Sequence, residues 1–174
     1  MKKLYCACGQ PVFFENDQCS SCGRQLAFDP LALQMDALVD GLQTAAGRVV
    51  CGNRSNDVHC NWLAAPHATV GSTCMSCVTS RIIPALNKRG NRERWRKLER
   101  AKRRLVYDLL TLGLPVDTQR LSFVFKEDRR SNPDVYEEHV STGHASGEIT
   151  INAAEADDAP RVRTLFFPYR RERQ

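Results

Sequence analysis

CACGQPVFFENDQCSSC, residues 6–22, sets two cysteine pairs on either side of a short apolar run: Cys6 and Cys8, ten residues, then Cys19 and Cys22. Zinc takes four thiolates in a tetrahedron at about 2.3 Å, and a close pair on a tight turn supplies two of them. Gly9 and Gly23 directly follow the second cysteine of each pair. Glycine there lets the turn reach positive φ while its backbone N–H groups face the sulfurs. Between the pairs, Pro11 to Phe14 reads as a short strand and Glu15-Asn16-Asp17 as its turn. The pattern predicts a zinc ribbon over residues 1–28.

The other four cysteines are Cys51, Cys60, Cys74 and Cys77, so all eight lie in the first 77 residues. They predict a second four-cysteine zinc-binding segment over 49–90, making two structural zincs in all. The spacing here is looser. Cys51 and Cys60 sit on separate pieces of chain, and His59 and His67 lie close enough in sequence to substitute as ligands or to serve as turn residues. The alternative is a redox pair at Cys74 and Cys77, which would need a helix N-terminus after the turn to lower a thiol pKa; Val78 to Arg81 could begin one.

The N-terminal MKKLYCACGQ lacks the 7–15-residue apolar stretch of a signal peptide, and no run of 18 apolar residues occurs anywhere. A cytoplasmic protein with no membrane partner is therefore expected. That reducing compartment favours metal over disulfides. The length suits one ordinary domain with small appendages, and the net charge of +5, from 25 Lys+Arg against 20 Asp+Glu, is too mild to demand nucleic acid.

Asp29-Pro30 reads as a helix start, with Leu31, Met35, Leu38, Val39 and Leu42 at helical spacing and Gly47 as a stop, which predicts a helical linker over 29–48. The strongest helix runs from Asn91 to Leu112. Its expected core stripe is Trp95, Leu98, Ala101, Leu105, Leu109 and Leu112, ended by Gly113 and Pro115. Its opposite face carries Arg92, Arg94, Arg96, Lys97, Arg100, Lys102, Arg103 and Arg104, broken by Glu93 and Glu99. Such a face is either solvated or a surface for nucleic acid or a protein partner. Leu121, Phe123 and Phe125 alternate as a half-buried strand, Ile149 and Ile151 form a second, and HVSTGHASG between them suggests a hairpin or bulged turn near the sheet edge. Asn152 with Glu155 makes a capping-box pattern. Asp157 and Asp158, adjacent on a helix, point apart and make a poor acid–base pair.

In the order CACGQPVFFENDQCSSCGRQLAFDP, CNWLAAP, CMSC with RIIPALN, WRKLERAKRRLVYDLLTLGLPV and TGHASGEITINAAEADD, the chain resembles a bacterial family of zinc-binding metallopeptidases that begin with a zinc ribbon. The resemblance implies an α+β fold: the ribbon and second four-cysteine site, then, over 91–174, a long basic amphipathic helix and a small antiparallel sheet like the N-terminal part of a zincin domain. In that family the segment after EADD leads to H-E-x-G-H, whose two histidines bind catalytic zinc while the glutamate activates water. No such motif occurs here: the four histidines are His59, His67, His139 and His144, and no two are four apart. The tail RTLFFPYRRERQ resembles a worn copy of the approach to it, with Arg171 in place of the first ligand and Glu172 in place of the base. Arginine stays protonated and cannot ligate zinc.

The resemblance therefore implies a truncated or degenerate member, catalytically inactive, with no catalytic residues of its own. His144 and Glu155 stand as cleft-lining or zinc-supporting positions, and His144 serves equally as a turn residue. An improvised open site from His139 and His144 with Glu155 or Asp158 is the one route to activity left.

Overall fold

The computed structural model describes residues 3–127 and 140–157. Two antiparallel hairpins open the chain. Strand β1, Leu4–Tyr5, pairs with β2, Pro11–Val12, around the first cysteine pair, and β3, Leu26–Asp29, pairs with β4, Gln34–Ala37.

The second hairpin replaces the helix expected over 29–48. Asp29 does not cap a helix: its Oδ1 accepts from the Leu31 N–H at 2.9 Å and closes the hairpin turn, where Leu33 takes φ 52°. Asp40 repeats the device, its Oδ1 accepting from the N–H groups of Leu42 and Gln43 at 2.9 Å each. Aspartate offers the backbone the same oxygen in a turn as at a helix cap, so local sequence leaves the two outcomes close. Burial decides between them. Met35 and Leu38 enter the core, whereas Leu31, Val39 and Leu42 stay exposed, so the helical stripe never forms.

Helix α1, Asn91–Thr111, appears where expected. It ends on Gly113, at φ 73°, with the Leu114 N–H reaching the Leu109 carbonyl at 2.9 Å and the Gly113 N–H reaching Leu110 at 3.0 Å. This is a glycine-terminated Schellman stop.

Its buried face is not the expected one. Of the predicted stripe only Trp95 is buried, at 6% exposure; Leu98 and Leu109 are half-buried, Ala101 is exposed, and Leu105 and Leu112 stand 45% and 74% exposed. The buried face instead comprises Asn91, Trp95, Glu99, Lys102, Arg103, Val106 and Tyr107. Its polar members enter because each has a partner. Lys102 Nζ lies 2.9 Å from Glu99 Oε2 with both side chains 1% exposed, and the Ser80 hydroxyl bridges the two. Arg103 donates to the Val58 carbonyl at 3.0 Å, and Asn91 donates to the Ala85 carbonyl at 3.0 Å and to Glu127 at 2.7 Å. Burying charge is tolerated only with such pairing. Periodicity of apolar letters cannot register it.

The helix joins two strands of a four-stranded sheet in the order β5-β6-β8-β7: β5 is Ser80–Ile82, β6 Ser122–Lys126, β7 Gly143–Ala145 and β8 Glu148–Asn152. The expected antiparallel sheet is in fact mixed. β5 to β6 and β6 to β8 run parallel, and only β7 to β8 is antiparallel. Parallel neighbours need a long crossover, and α1 supplies the one between β5 and β6. Phe123, Val124 and Phe125 are all buried, so β6 is covered on both faces rather than half-buried.

The hairpin or bulged turn expected near the sheet edge is the β7–β8 hairpin; it does not join β6 to β8, which run parallel. Its turn residues Ser146 and Gly147 both have positive φ, 51° and 89°, as a two-residue type I′ turn requires. A Cβ on Gly147 would meet the Arg120 carbonyl oxygen at 2.3 Å, which requires glycine there.

A single core cluster takes in Leu4, Phe14, Phe28, Trp62, Trp95, Tyr107, Phe123 and Phe125, together with sulfurs of both quartets. The Phe14 and Tyr107 rings stack at 4.1 Å, and Phe28 meets Tyr107 edge-on at 5.3 Å. Ribbon, second cysteine segment, helix and sheet therefore share one interior.

Candidate metal centres

Cys6 and Cys8 project from the β1–β2 hairpin, and Cys19 and Cys22 from the turn that leads into β3. The Cys6 N–H donates to the Gln10 carbonyl at 2.9 Å and the Cys19 N–H to Arg24 at 2.9 Å, so each pair sits on a closed knuckle. Gly9 and Gly23, at φ 87° and 70°, make those turns, as the sequence requires. The four sulfurs lie within 4.8 Å of one another, with Cys6–Cys22 and Cys8–Cys19 each at 3.7 Å. A tetrahedron with arms of about 2.3 Å has edges of about 3.8 Å, so the spacing fits zinc. Cys6 and Cys19 are buried, while Cys8 and Cys22 are exposed.

The second quartet converges from farther apart. Cys51 and Cys60 flank a 3-10 turn, Gly52–Arg54, and Cys74 and Cys77 bracket a knuckle that runs into β5. Their sulfurs also lie within 4.8 Å of one another, Cys60–Cys74 at 3.7 Å, and all four are buried. Two backbone N–H groups point at sulfur: Cys74 to Cys51 Sγ at 3.3 Å and Cys77 to Cys74 Sγ at 3.4 Å. Only a three-residue 3-10 turn, Cys77–Thr79, follows the pair, so no long helix stands behind a redox dithiol.

As bare thiols these groups would not ionise alike. Donation from Cys60, with Cys74 and Cys77, holds the Cys51 thiol far below its usual range, and burial pushes Cys74 well above it. In the first quartet a backbone hydrogen bond from Cys22 chiefly brings Cys19 down to about 6. The Cys8 backbone favours the Cys6 thiolate, but burial and the neighbouring thiols outweigh it and raise Cys6 to about 11. A divalent cation removes that conflict by letting all four sulfurs carry charge. Two four-cysteine groups thus fit two structural zincs. Each group offers four sulfurs, the full ligand set of a closed structural site.

The other named residues fall elsewhere. His59 and His67 are exposed, at φ 47° and 61°, and belong to turns rather than to either sulfur group. His144 is exposed on β7, opposite Ile149. The Asn152 side chain accepts from the Ala154 N–H at 3.0 Å and caps a 3-10 turn, Ala153–Ala156. The reciprocal half of the capping box is relayed: the Asn152 N–H donates to the Thr142 hydroxyl at 3.0 Å, and that hydroxyl donates to Glu155. Asp157 is held by Arg94, its carboxyl below the usual range because of that guanidinium. His139, Asp158, Arg171 and Glu172 lie outside the described residues.

Each basic side chain on α1 has an internal partner. Arg92 pairs with Asp57, Arg96 with Glu93 and Arg100 with Glu15; Lys97 reaches the Ala156 carbonyl and Arg104 lies over the Phe14 ring. Nothing in the residue pattern marks Asn61, whose buried amide donates to the carbonyls of Phe14 at 2.6 Å and Asn16 at 3.0 Å. Nor does it mark Gly52, where a Cβ would meet the Gly71 carbonyl at 2.2 Å. The partners are 45 or more residues away for Asn61 and on another loop for Gly52.

Residues 3–88 match the model of a zinc-ribbon domain family, and residues 91–170 match that of a family described as "Putative zinc-binding metallo-peptidase". Uncharacterized proteins of Mycobacterium bovis and of two strains of Mycobacterium tuberculosis are each 32% identical over 98% of this chain. The alignment takes in 49% of each, so the chain spans about half the length of these curated relatives. No solved structure matches the chain. Among the described residues no helix is long and apolar enough to cross a membrane. The two model matches run almost end to end: residues 3–88 are similar to that zinc-ribbon family and residues 91–170 to that zinc-binding metallopeptidase family.

Proposed function

We propose that this chain is the zinc-stabilised framework of a metallopeptidase-like protein and that its 174 residues do not themselves hydrolyse peptides. The observation that carries the reading is that both metal centres are complete on cysteine alone. Catalytic zinc needs an open position for water and a base beside it, and a closed four-sulfur site leaves neither. The four histidines include no pair four residues apart to build another site on a helix. β7, the exposed antiparallel edge of an otherwise parallel sheet, suits the rim of a zincin-like cleft. His144 then lines that rim, and Glu155 braces it through Thr142. Thiolate-only sites are at home in a reducing cytoplasm.

The test is a quenched-peptide assay with zinc supplied, on the chain and on His144→Ala. No turnover is expected from either. Zinc-dependent turnover abolished by the substitution would overturn the reading. A nucleic-acid role for α1 is the second reading, favoured by its basic composition and weakened by the internal partners of those side chains. A gel-shift series at rising salt separates them: salt-sensitive binding would restore the second.

A further inference from the structure

The two centres differ in one respect that bears on chemistry. In the first, Cys8 and Cys22 are exposed; in the second, all four cysteines are buried. An open hollow of about 400 Å³ lies against the first centre, lined by Tyr5, Cys6, Ala7 and Met35 among others. The second centre is packed among core side chains, and two of its sulfurs are further covered by backbone N–H groups. Access and thiolate character govern how fast sulfur meets an electrophile.

From this we infer that the first quartet is an oxidation site for small hydroperoxides, which release its zinc while the second zinc stays bound. The inference rests on the reading that both quartets hold zinc. The Cys8 thiolate attacks a peroxide oxygen; the O–O bond breaks, sulfur becomes a sulfenic acid, and hydroxide or alkoxide leaves. Cys19, whose sulfur is 3.7 Å away, then displaces hydroxide from that sulfur to form a disulfide. Two thiolates lose two electrons to one peroxide, and two protons from solvent complete the water or alcohol products. Cys22 and Cys6, also 3.7 Å apart, repeat the step with a second peroxide. Zinc, stripped of its ligands, departs as the divalent ion. The first centre thereby becomes a modifiable lock on the ribbon, and the buried second centre a permanent one.

The experiment treats the chain, its zinc content measured beforehand, with hydrogen peroxide. Released zinc is followed with a chromogenic chelator, and each cysteine by timed alkylation and mass spectrometry. One zinc per chain is expected to leave at least about tenfold faster than the other, with Cys6, Cys8, Cys19 and Cys22 losing reactivity first and disulfides joining the close pairs. Cys8→Ser can unfold the ribbon outright, so the mapping uses the unaltered chain. Release of both zincs together, prior oxidation of the second quartet, or a first quartet untouched by peroxide overturns the inference alone. A first quartet without zinc before any peroxide is added overturns the two-zinc reading and this inference with it.

Discussion

Glu99 and Lys102 are the residues a sequence reading places wrongly and the molecule depends on. They read as the charged face of α1, yet each is 1% exposed, paired at 2.9 Å and joined through Ser80. Removing one member strands the other charge in the core. Lys102→Met is therefore expected to cost about 3–5 kcal/mol in urea unfolding. Leu105→Ala, which the leucine spacing marks as a core substitution, is expected within about 0.5 kcal/mol of wild type because that side chain is 45% exposed. A large loss at Leu105 with none at Lys102 would mean the helix is rotated from the face described. The cysteines were legible because their spacing is itself the ligand chemistry. Glu99 was not, because its hydroxyl partner is 19 residues away on β5.

Among elements, α1 and the β7–β8 hairpin were legible from their glycine stops and apolar content. The β3–β4 hairpin was not, since Asp29 offers the same oxygen to a turn as to a helix cap. Sheet direction was equally hidden, being set by what crosses over between strands. The contact between α1 and the 3-10 turn after β8 makes a pH prediction. Arg94 lowers the Asp157 carboxyl in the folded chain, so the pair's contribution is fully present above the unfolded carboxylate value of about 3.9. It is lost as pH falls through the lower folded value. The urea midpoints of wild type and Asp157→Asn should therefore differ at neutral pH and converge below about pH 4. A gap that persists unchanged in acid would remove charge from the explanation. At the hairpin, Gly147→Ala forces a side chain into positive φ against the Arg120 carbonyl and should lower the melting temperature.

At the scale of the molecule, the two zinc centres are walls of the same interior that holds the helix and sheet. Phe14 of the ribbon stacks on Tyr107 of α1, Arg100 of α1 pairs with Glu15 of the ribbon, and Arg103 reaches the second cysteine segment at Val58. Metal binding supplies roughly 10–16 kcal/mol to small zinc modules, far more than any of these contacts alone. Because the centres share that interior, this energy is expected to hold the metallopeptidase-like half together as well. The direct test is amide hydrogen exchange across α1, Asn91–Thr111, before and after a strong chelator removes both zincs under reducing conditions. Two zincs per chain at the start, and loss of α1 protection once they are gone, are expected. An α1 that keeps its full protection in the stripped chain would contradict this, because helix and sheet would then fold without the metal centres.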